Sequence, residues 1–352
     1  MANPSLTEPQ EVPASAALVR RVLGLLALVV VLALVVSVLP GLRDVRDRFH
    51  SADPVWLAVT FACVFASTLS YVAAVRGTLS RQPGWHASWN LGMAEQGSNV
   101  LLPTGGVGGP ALGAVVLRRA GVPSAVATPR SAALFLLTSA ASFVAIALAG
   151  TVGGLGFLAG GMGWVGTWLP AGLAVTAMAA VAMLGRLPAG EPSEGQGFAQ
   201  RWVSRLGALL RDGVHESFVL LRERDPLVIG GCAGYLGFAI AALAASFQAF
   251  GGEGPPLAAF VLAYTLGQVG ALIPTPGGLG GTEGGLIGMF VLYGAPAAPT
   301  TAAVLAYRVF QLGLPAIFGL IAFSRIRRRL RDADLTAEVA ARFSSESAPE
   351  SP

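Results

Sequence analysis

The side chains in this sequence that could act chemically inside an apolar environment fall into two groups. The first lies near the C-terminal end. It comprises Thr275, Gly277, Gly278, Gly280 and Glu283, followed by Tyr307, Arg308 and Gln311. A charge within a membrane costs at least about 2.5–3.5 kcal/mol at a helix centre, and such residues mark functional sites by default. Arg308 carries an always-charged planar fork suited to bidentate binding of a phosphate. Glu283 would then serve as its counter-ion or as a proton site. The rival reading is a buried Glu283–Arg308 ion pair that only holds the fold. Gln311 lies three residues after Arg308, on a neighbouring helix position. Thr282 is a plausible N-cap for a helix beginning there, with Glu283 in its first turn facing the positive helix end. The second group is Glu95, Gln96, Asn99 and Thr104, with Glu95 and Asn99 on one face at i, i+4.

Soluble-enzyme chemistry has no carrier here. Gly105 to Gly109 lacks the Lys-Ser/Thr of a phosphate-binding loop, and no Gly-x-Ser-x-Gly elbow occurs. His50, His86 and His215 stand apart without metal-ligand spacing. No cofactor or metal is expected. Cys63 and Cys232 fall inside apolar runs and read as small buried residues. An intramembrane enzyme is the weakest reading, because no nucleophile–base pair or metal set is visible.

The elements that would position these groups follow from composition. Of 352 residues, 54% are hydrophobic and only 12% charged, against about 25% charged in soluble domains. Disorder is excluded by the apolar content, and an outer-membrane barrel by continuous rather than alternating apolar runs. The chain reads as an all-α polytopic membrane protein with about six full transmembrane helices. They lie near 21–39, 54–75, 131–149, 168–184, 227–250 and 300–323. The first is read as an uncleaved span, since no small-residue cleavage site follows it.

Two further apolar stretches, 85–117 and 257–292, are interrupted by Gly and Pro and read as re-entrant or broken helices. They resemble each other. Leu101 to Gly109 reads LLPTGGVGG and Leu272 to Gly281 reads LIPTPGGLGG, with Pro276 inserted. The match extends over 85–123 and 257–296, at an offset of 171 residues for Pro103/Pro274 and 173 for Gly121/Gly294. Three spans separate the segments, an odd number, so the repeat would be inverted. Paired broken segments of this kind point to a midplane site in transporters. The structural alternative is close helix contact through small residues.

All 23 basic residues are Arg, and net charge is +4. With both termini in the cytoplasm, nineteen of the 23 flank spans on the cytoplasmic side, as the positive-inside rule requires. The basic balance therefore points to a membrane surface, with no nucleic-acid partner. Segment 198–224 reads as a cytoplasmic amphipathic helix, lying in the interface or docked on the bundle. Residues 17–330 form one transmembrane domain. Residues 1–16 and 331–352 are polar ends expected to be disordered, and the C-terminal one is too short for a catalytic domain.

The run Pro274 to Glu283 resembles the Pro-Gly-Gly-x-Gly-x-x-Glu signature of the flippase-like family. This family is the transmembrane region of lysylphosphatidylglycerol synthases, also found as stand-alone bacterial proteins. Ala306-Tyr307-Arg308 resembles the Tyr-Arg of its final helix, and Asn99 to Pro103 its Asn-x-Leu-x-Pro element. The resemblance spans about residues 20–330. Where the family often has an acid in its first element, Gly109-Pro110-Ala111 carries none. The resemblance implies a protein of the bacterial inner membrane that translocates a lipid, without lysyl transfer. The expectation is a translocase for an anionic phospholipid or polyprenyl-linked lipid. The alternative is a non-transporting scaffold whose partner is an envelope lipid- or glycan-modifying enzyme, docked at 198–221.

Overall fold

The computed structural model describes residues 51–82, 84–103, 106–156, 163–186, 198–252, 254–273 and 275–331. The expected first span, Thr104 and the polar ends lie outside the described residues, apart from Arg331. Over the described residues the chain is all-helical, without strands. Five helices are long and apolar enough to cross a membrane. They are α1 (Pro54–Thr78), α4 (Ser124–Gly154), α5 (Trp164–Leu184), α7 (Pro226–Ala249) and α10 (Ala297–Arg331). They coincide with five of the six expected spans, and α4 and α10 run further than hydropathy alone marked. Pro129 and Pro315 sit within α4 and α10 without ending them. The outer face of α5 exposes Trp164, Trp168, Leu169, Leu173 and Met183. An apolar face of that extent belongs against lipid, and the protein is a multi-pass membrane protein.

Helices α1 and α7 form the centre, and their ends show that they run antiparallel. Asp53 caps α1 by accepting from the Val55 amide at 2.8 Å. Its own backbone N–H donates to the Ala249 carbonyl at the far end of α7 at 2.8 Å. At the opposite end Arg81, just past α1, holds Asp225 with N–O distances of 3.0 and 2.8 Å. Asp225 in turn caps α7 through the Leu227 amide at 2.8 Å.

The Arg81 guanidinium holds the Asp225 carboxyl below the usual carboxylate range. The resulting stability is fully present above the unfolded value of about 3.9 and is lost as pH falls through the lowered folded value. Asp225→Asn keeps the cap and removes the titration. Its melting temperature in detergent should fall slightly at pH 7 and show a weaker decline below about pH 4 than wild type. Asp225→Ala should lose about 1 kcal/mol more, the contribution of the cap.

Two helical hairpins fill the space around this pair. The first is α2 (Trp85–Leu101) and α3 (Gly108–Arg119). The second is α8 (Leu257–Gly267) and α9 (Gly281–Leu292), joined through 3-10 turns at Gln268–Leu272 and Pro276–Gly278. Helix α2 starts beside the end of α1, where Arg76 lies 4.5 Å above the Trp85 ring. Helix α8 starts beside the end of α7, where the Phe247 and Phe260 rings are 5.5 Å apart. Because α1 and α7 are antiparallel, the hairpins enter from opposite ends. Each returns to its own end. Past α3, the first turns of α4 meet α6 (Phe198–Glu223) through Arg130 and Glu216 at 3.1 Å. At the close of α9, Tyr293 donates to the Gly166 carbonyl at the start of α5 at 2.7 Å.

The halves also exchange partners: α2 lies along α10, and α8 lies along α4. Where α2 crosses α10, Gly97 and Gly319 face each other so closely that a Cβ on either would sit within 3 Å of the other's Cα. This is the arrangement an inverted repeat produces. Helix α6 lies on α4, with Val214, Ser217 and Leu220 buried and Phe218, Val219 and Leu221 exposed. From Gly207 onward its inner face is therefore docked on the bundle.

Candidate functional site: a cavity between the two halves

The tip of the second hairpin meets the last turn of α2, where Val100 lies against Gly277. A cavity of about 330 Å³ opens there and draws its lining from both halves. Its charged lining residue is Arg308, on α10. The side chain is buried, and Nε donates to Glu283 Oε1 at 2.7 Å. One Nη donates to Gln311 Oε1 at 2.8 Å and the other to the Gly277 carbonyl. Among the described residues three of the five guanidinium N–H groups find partners, which leaves one on each Nη. The fork keeps a two-pronged donor set beside the cavity.

Glu283 does not reach the cavity. Its second oxygen accepts from the Gly280 amide at 2.7 Å, closing the first turn of α9. This corrects the expectation for Thr282. Gly280 is the N-cap, and Thr282 is already inside the helix, buried, with no hydrogen-bond partner for its hydroxyl. The short Thr282 side chain at the second helical position does not reach back to the free amides, and the longer Glu283 side chain at the third fills that role.

The tip backbone requires glycine. Gly277, Gly278 and Gly280 have φ of 63°, 64° and 82°, a region costly for any residue with a Cβ. This conformation turns the Gly277 carbonyl toward Arg308. Gly277 and Gly278 line the cavity, as does Thr275, whose hydroxyl donates to the Leu279 carbonyl at 2.9 Å. Tyr307 also lines it, paired with Tyr264 of α8 through their hydroxyls at 2.8 Å.

The first half supplies neutral groups. Asn99 lines the cavity and accepts from the Gly109 amide at 2.6 Å, fastening the start of α3 to α2. Glu95 shares its helix but not its surroundings. It is buried between α1 and α3, accepts from the Tyr71 hydroxyl at 2.9 Å, and lies against Gly113, away from the cavity. No ion pair of Glu95 occurs among the described residues. The i, i+4 pattern placed Glu95 and Asn99 together, but Gly113 leaves room that only the Glu95 carboxylate fills.

Gln96 is the lining residue whose importance the sequence understated. It is 7% exposed, and its side-chain N–H₂ has no partner among the described residues. Thr138, Ser139 and Ser142 of α4 also line the cavity and escaped notice. Their i, i+4 spacing within an otherwise apolar span was the available signal. Among the described residues no group of three His, Cys, Asp or Glu could hold a metal ion.

No curated protein matches the sequence. The family described as the lysylphosphatidylglycerol synthase TM region matches residues 21–319, a stretch that contains both hairpins, Glu283 and Arg308. The chain therefore belongs to the lysylphosphatidylglycerol synthase transmembrane-region family.

Proposed function

We propose that the protein is a lipid translocase of the bacterial inner membrane, passing an anionic head group between leaflets through the central cavity. The observation that carries this reading is the Arg308 guanidinium, with two N–H groups that have no partner among the described residues, lining a cavity built by two oppositely inserted hairpins. Irregular backbone at such depth is tolerated where it lines a polar cavity. At about 330 Å³ the cavity lies at the small end of ligand sites, which run to about 1,000 Å³. It has room for a head group, while acyl chains would stay in the bilayer. No nucleotide-binding motif accompanies it, so flux would run downhill or be coupled to an ion.

The test is leaflet exchange in proteoliposomes of purified protein, with acyl-labelled anionic phospholipids and a polyprenyl phosphate. Wild type should exchange at least one anionic lipid well above protein-free vesicles, and folded Arg308→Gln should lose that exchange. No exchange of any lipid would instead favour a membrane scaffold. Its partner would be sought at the exposed face of α6.

A further inference from the structure

The cavity is chemically lopsided. Its one charge among the lining residues, Arg308, comes from the second half. In the first half the repeat places Ala111 where Glu283 stands in the second, so no second charged pair forms there. That side presents amides and hydroxyls instead: Gln96 and Asn99 from α2, Ser139 and Ser142 from α4. No carboxylate is among the described lining residues. Glu283 is spent on Arg308 and Gly280, and Glu95 is turned toward Tyr71.

Gln96 shows that this neutral side is unfinished. It is more than nine-tenths buried, and its amide donor has no partner among the described residues. A buried donor left unpaired is destabilising, so such groups are normally satisfied by protein, water or ligand. Side-chain amides and hydroxyls pair well with ligand hydroxyls, which both donate and accept. An ammonium group only donates and carries charge. Among the described lining residues it would find no acid to pair with, since Glu283 is held by Arg308 and Gly280.

We infer that the cavity selects lipids whose head group combines one phosphate with neutral hydroxyls, a polyol or glycosyl phosphate, over lipids that carry an amine. Arg308 takes the phosphate, and Gln96 with the α4 serines takes the hydroxyls. The inference rests on the translocase reading and specifies its substrate class.

Proteoliposomes carrying acyl-labelled phosphatidylglycerol, phosphatidylethanolamine or phosphatidic acid test it. Wild type should exchange phosphatidylglycerol about tenfold or more faster than phosphatidylethanolamine. Gln96→Leu should slow phosphatidylglycerol more than phosphatidic acid, which lacks the glycerol hydroxyls. Gln96→Glu places an acid in the cavity and should shift the preference toward phosphatidylethanolamine by about tenfold. If that variant does not purify as a folded species, Ser139→Asp carries the same test. Equal rates for the amine and glycerol lipids in wild type would overturn the inference and leave a translocase. So would an unchanged preference in the acidic variant. Absence of exchange for every lipid would overturn the translocase reading, and this inference with it.

Discussion

Arg308→Ala lowers the stability of the protein by about 3–5 kcal/mol in a detergent unfolding titration, because it leaves the Glu283 carboxylate buried without its cation. Glu283→Gln is milder, at about 1.5–3 kcal/mol, since Arg308 still donates to Gln311 and the Gly277 carbonyl. The informative variant combines Glu283→Gln with Arg308→Gln. Both charges are then gone, and replacing a buried pair by neutral groups is often close to neutral in free energy. The double variant should recover to within about 1–2 kcal/mol of wild type. Its lipid exchange should nevertheless be absent, because the positive charge among the lining residues, which takes the phosphate, belongs to Arg308. A double variant that is folded and still exchanges lipid would reduce the pair to a structural clamp.

The second large effect concerns the contact between α8 and α9. A Cβ on Gly270 would fall on the Gly281 carbonyl, and one on Gly281 on the Gly270 carbonyl. Gly285 faces the Gly267 carbonyl in the same way. These obstacles are backbone, which cannot rotate aside as a side chain does, so the hairpin arms must separate. Gly281→Val should cost about 3 kcal/mol or more, the upper part of the usual range for overpacking. It should also abolish exchange, because Glu283 begins its turn two residues later. Gly284 and Gly288 lie on the same helix with nothing within 4 Å of an added Cβ. Alanine at either should raise stability by about 0.4–1 kcal/mol. Melting temperatures of the four-member set Gly281→Val, Gly285→Ala, Gly284→Ala and Gly288→Ala separate close contact from general intolerance. If Gly284→Ala proves as damaging as Gly285→Ala, this account of the hairpin is wrong.

Much of this architecture was legible before any coordinates. Membrane spans are apolar runs about 20 residues long, and a one-dimensional signal suffices to find them. The repeat was visible because Pro-Thr and Gly-rich tips impose the same backbone break twice, and an odd number of intervening spans sets its inversion. Glu283 and Arg308 stood out because charge is rare where burial is costly. Their pairing was one of the two readings, and the structure makes it at 2.7 Å.

What tertiary structure alone decided is which polar side chain faces what. Helical spacing put Glu95 and Asn99 on one face, yet one is enclosed by α1 and α3 and the other opens on the cavity. The difference depends on Gly113, eighteen residues from Glu95 in sequence and in contact with it in space. Thr282 had the right residue type for a cap, but the cap fell at Gly280, because the positive φ there ends the turn. Gln96, Ser139 and Ser142 come from two helices that both pack on α3, and no local pattern joins them. The sequence by itself determined the spans and the broken repeat and marked Glu283 and Arg308, because each follows from composition or local backbone preference. The cavity and its neutral side were decided by how the hairpins cross, which depends on contacts between residues far apart in the chain.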